Sequence, residues 1–156
     1  MKINWKLLVI CIAVPLAVGF LSSFLTRGGT RLFETIQKPV ISPPAWLFPV
    51  VWTILYTLMG ISSYLILTSN AEKEKITEAI SVYAYQLTVN FLWPTLFFSF
   101  QWFFVSFLWI VLLIFLVAAM IRKFYEIRKL SAYLNIPYLV WLCFAAYLNL
   151  AIWWMN

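Results

Sequence analysis

From Ala79 to Ile121 the chain carries no charged residue. As one continuous helix that stretch would be about 60 Å long, roughly twice the hydrocarbon thickness of a bilayer. It must fold back on itself. Ser99 and Gln101 are the polar positions that place the reversal near Ser99–Trp102, which predicts two helices over about 79–99 and 102–122.

Composition decides what surrounds those helices. The chain of 156 residues is 65% hydrophobic and 20% aromatic, and only 10% of it is charged. A soluble domain of this size has too little polar residue here to coat its exterior. Lipid is the expected solvent. The net charge of +6 then marks membrane flanks and no nucleic-acid surface, because the basic residues sit in short clusters between apolar runs.

Three further spans complete the reading. Leu7–Leu25 is long enough to cross a bilayer and exceeds the roughly 7–15 residues of a signal-peptide core. It predicts a helix over about 5–26. Another is expected over 45–67, ended by AEKEKITE, and the last over 132–155, after RKFYEIRK. The expectation is all-α: a single polytopic domain, 1–156, forming one bundle of five transmembrane helices, with a loop over 27–44 as a lid.

Lys and Arg orient the bundle. Lys2, Lys6, Lys73, Lys75, Arg122, Lys123, Arg128 and Lys129 fall on the side of the N-terminus, against Arg27, Arg31 and Lys38 on the other. Positive residues favour the cytoplasmic side, which predicts a cytoplasmic N-terminus and an external C-terminus.

The chain has no His and no Asp. A His-ligated haem, a His general base and a Ser-His-Asp triad are therefore excluded. The five acids are all Glu and lie in or near expected loops, while Cys11 and Cys143 lie in apolar runs and read as small packing residues. No metal site and no required cofactor is expected.

What remains is polar and aromatic patterning. Gln86, Asn90, Trp93, Phe97 and Gln101 recur at helical spacing, so they share one face. Amides facing lipid would lose their hydrogen bonds, so that face should point into the bundle. There it either links helices or orients a polar group of a ligand. Tyr138, Trp141, Ala145, Leu148 or Asn149, and Ile152 form a similar face on the last helix, where the small Ala145 either admits a neighbouring helix or leaves room for a ligand. Among nine tryptophans, Trp5, Trp153 and Trp154 suit an interfacial belt. Trp46, Trp52, Trp93 and Trp141 stand beside prolines or amides instead.

Three stretches now carry a resemblance. KPVISPPAWLFPVVWTILYTLMG (Lys38–Gly60), QLTVNFLWPTLFF and PYLVWLCFAAYLN, in that order, resemble the translocator protein family, also called the tryptophan-rich sensory protein or peripheral-type benzodiazepine receptor family. The resemblance covers essentially the whole chain and implies a bacterial member. It implies five helices with the first connecting loop covering a pocket. The ligands it implies are porphyrins, protoporphyrin IX or haem, and other hydrophobic aromatic molecules. The lipid bilayer and a homodimer are the other expected partners. By the same resemblance the pocket includes Trp52, Asn90, Trp93, Phe97, Trp141, Phe144, Ala145 and Leu148, with Pro43 and Pro44 as the paired prolines ending the lid. Gln86, Trp46 and Tyr138 join them from the residue patterning.

Some family features are missing. Leu150 and Trp154 stand where sterol-binding members have Tyr and Arg, Trp109 replaces an Asp, and Ile41 replaces a lid Trp. Sterol binding is not expected. Three functions follow: a tetrapyrrole receptor or sensor, an enzyme that degrades protoporphyrin IX oxidatively in light with Trp52 and Trp141 taking part, and a transporter. No charge lies within the spans and no half is repeated, which weighs against transport.

Overall fold

The computed structural model describes residues 3–156, which are mostly helical, with residues 36–46 the longest non-helical connection, and contain no strand. Lys2, counted in the charge bias, lies outside them. The elements are α1 (Trp5–Leu25), α2 (Gly29–Thr35), α3 (Leu47–Leu67), α4 (Lys73–Pro94), a π-helical turn (Thr95–Ser99), α5 (Phe103–Ile127), α6 (Lys129–Tyr133) and α7 (Ile136–Met155).

The long helices α1, α3, α4, α5 and α7 alternate in direction. At one end the Asn4 backbone N–H donates to the Tyr64 hydroxyl at 3.1 Å, and Lys123 pairs with Glu78 at 2.8 Å. At the other end Gln37 meets Asn156. α1 packs on α3, α4 on α5, and α5 on α7.

Among the described residues, four segments are long and apolar enough to cross a membrane: α1, α3, α5 and the α6–α7 unit, Lys129–Met155. The protein is an integral membrane protein. α4 is as long as the others, at 22 residues, but begins with Lys73, Glu74 and Lys75 and carries inward amides, so it falls short on apolarity. The expected count of five apolar spans is thus four by this measure.

Solvent preference is inverted relative to a soluble domain. Phe20, Phe115 and Val9 point outward, whereas Gln86, Ser62, Ser106, Ser131 and Asn135 are fully buried. Without water outside, polar groups gain by finding partners within the bundle.

Helix ends differ from the apolar windows for identifiable reasons. α4 starts at Lys73 rather than 79, because charge ends a hydrophobic run without ending a helix, and Glu74 suits the positive N-terminal dipole. α5 likewise runs on to Ile127. α7 starts at Ile136 because Pro137 fits a first helical turn, and residues 129–133 form the separate α6. The segment expected as a loop over 27–44 contains α2. α3 tolerates Pro49 because its first turn needs no such amide donor.

Pro94 shapes the far end of α4. It lacks the N–H that would bond the Asn90 carbonyl, and the next turn widens until the Phe100 N–H donates to the Thr95 carbonyl, five residues back. Gln101, at φ 55°, then reverses the chain within the expected Ser99–Trp102 turn. The widened turn also changes register: Phe97 stays buried, while Gln101 leaves the stripe and is exposed.

Candidate ligand-binding site

A cavity of about 880 Å³ lies at the end of the bundle that carries α2. All five long helices and the 27–44 segment contribute to its wall. Trp52 and Tyr56 come from α3, Asn90 and Trp93 from α4, and Trp141 and Ala145 from α7.

A hydrogen-bonded chain reaches the cavity floor at Tyr56 and Asn90 and runs on behind it. The Tyr56 hydroxyl donates to Asn90 Oδ1 at 2.7 Å, and Asn90 Nδ2 donates to the Tyr138 hydroxyl at 2.7 Å. Tyr138 in turn donates to Gln86 Oε1 at 2.9 Å, and Gln86 Nε2 reaches the Met59 sulfur at 3.8 Å. Tyr56 occupies space that only glycine leaves on α1: a Cβ on Gly19 would fall 2.2 Å from the Tyr56 ring.

The walls are aromatic. Trp52 stacks on Tyr56 with centroids 5.4 Å apart and meets Tyr138 edge-on at 6.0 Å. Trp93 stacks on Phe97 at 5.3 Å, and its indole N–H donates to Asn149 Oδ1 at 3.3 Å. Asn149 Nδ2 donates to the Ala145 carbonyl, leaving the small Ala145 side chain in the wall.

The roof comes from the 27–44 segment. Phe33 of α2 meets Phe48 at 5.2 Å, and Phe48 meets Trp141 at 5.9 Å, so one edge-to-face series ties roof to wall. Lys38 donates to the Phe33 carbonyl and lies over the Phe33 ring at 4.3 Å. Arg27 and Glu34 are the charged residues at the mouth. Arg27 rests on the Phe24 ring at 3.5 Å.

Of the residues singled out from sequence, Trp46, Trp52, Asn90, Trp93, Phe97, Trp141, Ala145 and Leu148 line the cavity. Pro43, Pro44, Gln86, Tyr138 and Phe144 do not. The prolines lead into α3, the Pro44 carbonyl accepting from Leu47 N–H at 3.0 Å. Gln86 and Tyr138 stand behind Asn90, and Phe144 meets Trp141 at 5.6 Å. Sequence reasoning missed Tyr56, Phe33, Phe48 and Glu34. Tyr56, four residues after Trp52, shares its helix face and was findable by spacing; nothing local marks Phe33 or Glu34. Trp109, given no role, donates to the Val89 carbonyl at 2.8 Å and straps α5 to α4.

A polytopic helical membrane protein with a large aromatic cavity, floored by amides and tyrosines and roofed by its first connecting segment, is the class these features define. Residues 11–155 match the TspO/MBR family, and the chain belongs to it. It is 38% identical over 151 residues to the tryptophan-rich protein TspO of Chlorobaculum tepidum, covering 96% of this chain and 95% of that one. It is 37% identical to the translocator protein of Sus scrofa over 90% of this chain and 84% of that one. The tryptophan-rich sensory protein of Cereibacter sphaeroides is 29% identical over 96% and 90% of the two chains.

Proposed function

We propose that this protein is a membrane receptor or sensor that takes porphyrins, protoporphyrin IX or haem, and other hydrophobic aromatic molecules into the cavity under the 27–44 segment. The observation that carries the reading is the size and lining of that cavity. Its volume of about 880 Å³ lies within the roughly 300–1,000 Å³ usual for small-molecule sites. Trp52, Trp93, Trp141 and Phe97 offer flat π surfaces suited to a planar macrocycle. Arg27 at the mouth is the cation that suits a propionate. Neither Arg31 nor Lys38 is part of the lining, so neither is assigned that part.

α4 serves as the fifth span in this reading. The N-terminus faces the cytoplasm of a bacterial cell, and the cavity mouth faces out.

Light-dependent breakdown of bound protoporphyrin IX is the second reading, favoured by two oxidisable indoles, Trp52 and Trp141, in the same wall. The excited pigment would activate dioxygen, which oxidises the macrocycle and is itself reduced, while the indoles supply or quench reactive species.

Absorbance titration of the purified protein with protoporphyrin tests both. A saturable spectral shift in darkness supports the receptor; its absence removes the proposal. Spectral loss under illumination, faster than for the free pigment, supports the second reading.

A further inference from the structure

The hydrogen-bonded floor has a direction, and a sulfur atom sets it. A thioether accepts hydrogen bonds weakly and has no proton to give. Gln86 is fully buried and faces the Met59 sulfur at 3.8 Å. Turning its amide over would set carbonyl oxygen against sulfur, two acceptors without a proton between them. Nε2 therefore faces Met59, and Oε1 faces Tyr138.

The rest of the chain follows by elimination. Gln86 Oε1 needs a donor, so the Tyr138 hydroxyl proton goes to it at 2.9 Å. Tyr138 then has only lone pairs for its other neighbour, so Asn90 must present Nδ2 to it, at 2.7 Å. That leaves Asn90 Oδ1 toward Tyr56, and the Tyr56 proton is used on it at 2.7 Å. Chains of this kind polarise along their length, each bond reinforcing the next.

We infer that the Tyr56 hydroxyl acts toward a cavity occupant as a hydrogen-bond acceptor only, so that contact with it favours a flat aromatic ligand bearing an N–H or O–H, and that Met59, outside the cavity lining, determines this preference. Tyr56 is a lining residue whose single proton is committed inward, so only oxygen lone pairs remain for a ligand. A ligand oxygen placed against Tyr56 would meet lone pairs and lose its own hydration without replacement. The inference rests on the proposal that this cavity binds aromatic ligands.

Carbazole and dibenzofuran test it directly. They are tricyclic and flat, nearly equal in shape, and differ in presenting N–H or ring oxygen. Their affinities for the purified protein are read from quenching of tryptophan fluorescence, so the assay needs no porphyrin. The quantity of interest is the affinity ratio, carbazole over dibenzofuran. Tyr56→Phe should lower that ratio about fivefold, the worth of one ordinary hydrogen bond. Met59→Leu, a volume-conserving change at a residue that does not line the cavity, should lower it in the same direction by releasing Gln86.

A ratio unchanged in both variants overturns the inference while leaving the cavity reading intact. A ratio lowered by Tyr56→Phe but not by Met59→Leu removes the sulfur's role and with it the proposed relay. If neither probe quenches the wild-type protein saturably, the cavity reading fails and the inference falls with it. Circular dichroism on each variant confirms that the helices persist.

Discussion

Gln37 and Asn156, 119 positions apart, are joined by a reciprocal pair of hydrogen bonds. The Gln37 backbone N–H donates to Asn156 Oδ1 at 3.0 Å, and Asn156 Nδ2 donates to the Gln37 carbonyl at 2.8 Å. The roof segment is thereby held to the end of α7. Asn156→Ala should free the roof while leaving the bundle folded. Ligand dissociation, followed by stopped-flow fluorescence, is expected to accelerate roughly three- to tenfold, the worth of one to two exposed hydrogen bonds. Trypsin cleavage at Arg27 or Arg31 should rise in parallel. Unchanged kinetics would mean the clasp does not restrain the roof.

Topology is the second expectation. A reporter that is active only outside the cell, fused after Asn156, should be active, and one inserted between Ser69 and Ala71 should be silent. The reverse pattern would contradict the eight-to-three bias of Lys and Arg between the two sides. A third fusion, between Phe100 and Trp102, should be active; silence there as well as between Ser69 and Ala71 would put both ends of α4 on one side and exclude it as the fifth span.

Ala145 sets the width of the α7 wall. Its methyl group borders the cavity, so Ala145→Leu adds volume on the ligand's side. Binding of a bulky aromatic ligand should weaken about tenfold or more. Thermal stability should change little compared with overpacking a filled core, about 1–3 kcal/mol. Full retention of affinity would place the ligand away from α7.

Trp52 and Trp141 distinguish receptor from photochemical enzyme. Phenylalanine preserves an aromatic face but removes the readily oxidised indole. Trp52→Phe and Trp141→Phe should retain porphyrin binding within about tenfold, yet slow light-driven loss of its spectrum. No variant should lose pigment in darkness. Degradation at the wild-type rate in both would make the breakdown the pigment's own photochemistry.

Gly60 brings α3 against α1. A Cβ there would stand 2.4 Å from the Ile12 Cα and 2.7 Å from the Cys11 carbonyl oxygen, both backbone atoms that cannot rotate away. Pro15, lacking an N–H, leaves that same Cys11 carbonyl without its usual helical donor. Gly60→Ala should therefore separate the helices and cost about 1–3 kcal/mol, seen as a lower melting temperature in detergent. An unaltered melting temperature would show that the contact is relaxed at little cost.

Helix content, membrane residence and the reversal near Ser99 were legible in the chain, because each depends on local quantities: apolar length, charge placement and turn-forming residues. The inward direction of Gln86, Asn90, Trp93 and Phe97 was legible too, since helical periodicity and the cost of an unpaired amide in lipid require nothing beyond the segment itself. Division of that face into lining and support was not. Asn90 reaches the cavity and Gln86 lies behind it only because Tyr138 of α7 and Met59 of α3 arrive between neighbouring helices. Phe33 was invisible for the same reason: its place in the roof depends on meeting Phe48, fifteen residues later, across a turn that the sequence leaves open. Periodicity tells a side chain which way to face, whereas what stands opposite it depends on contacts between segments remote in the chain, and those exist only once the bundle has closed.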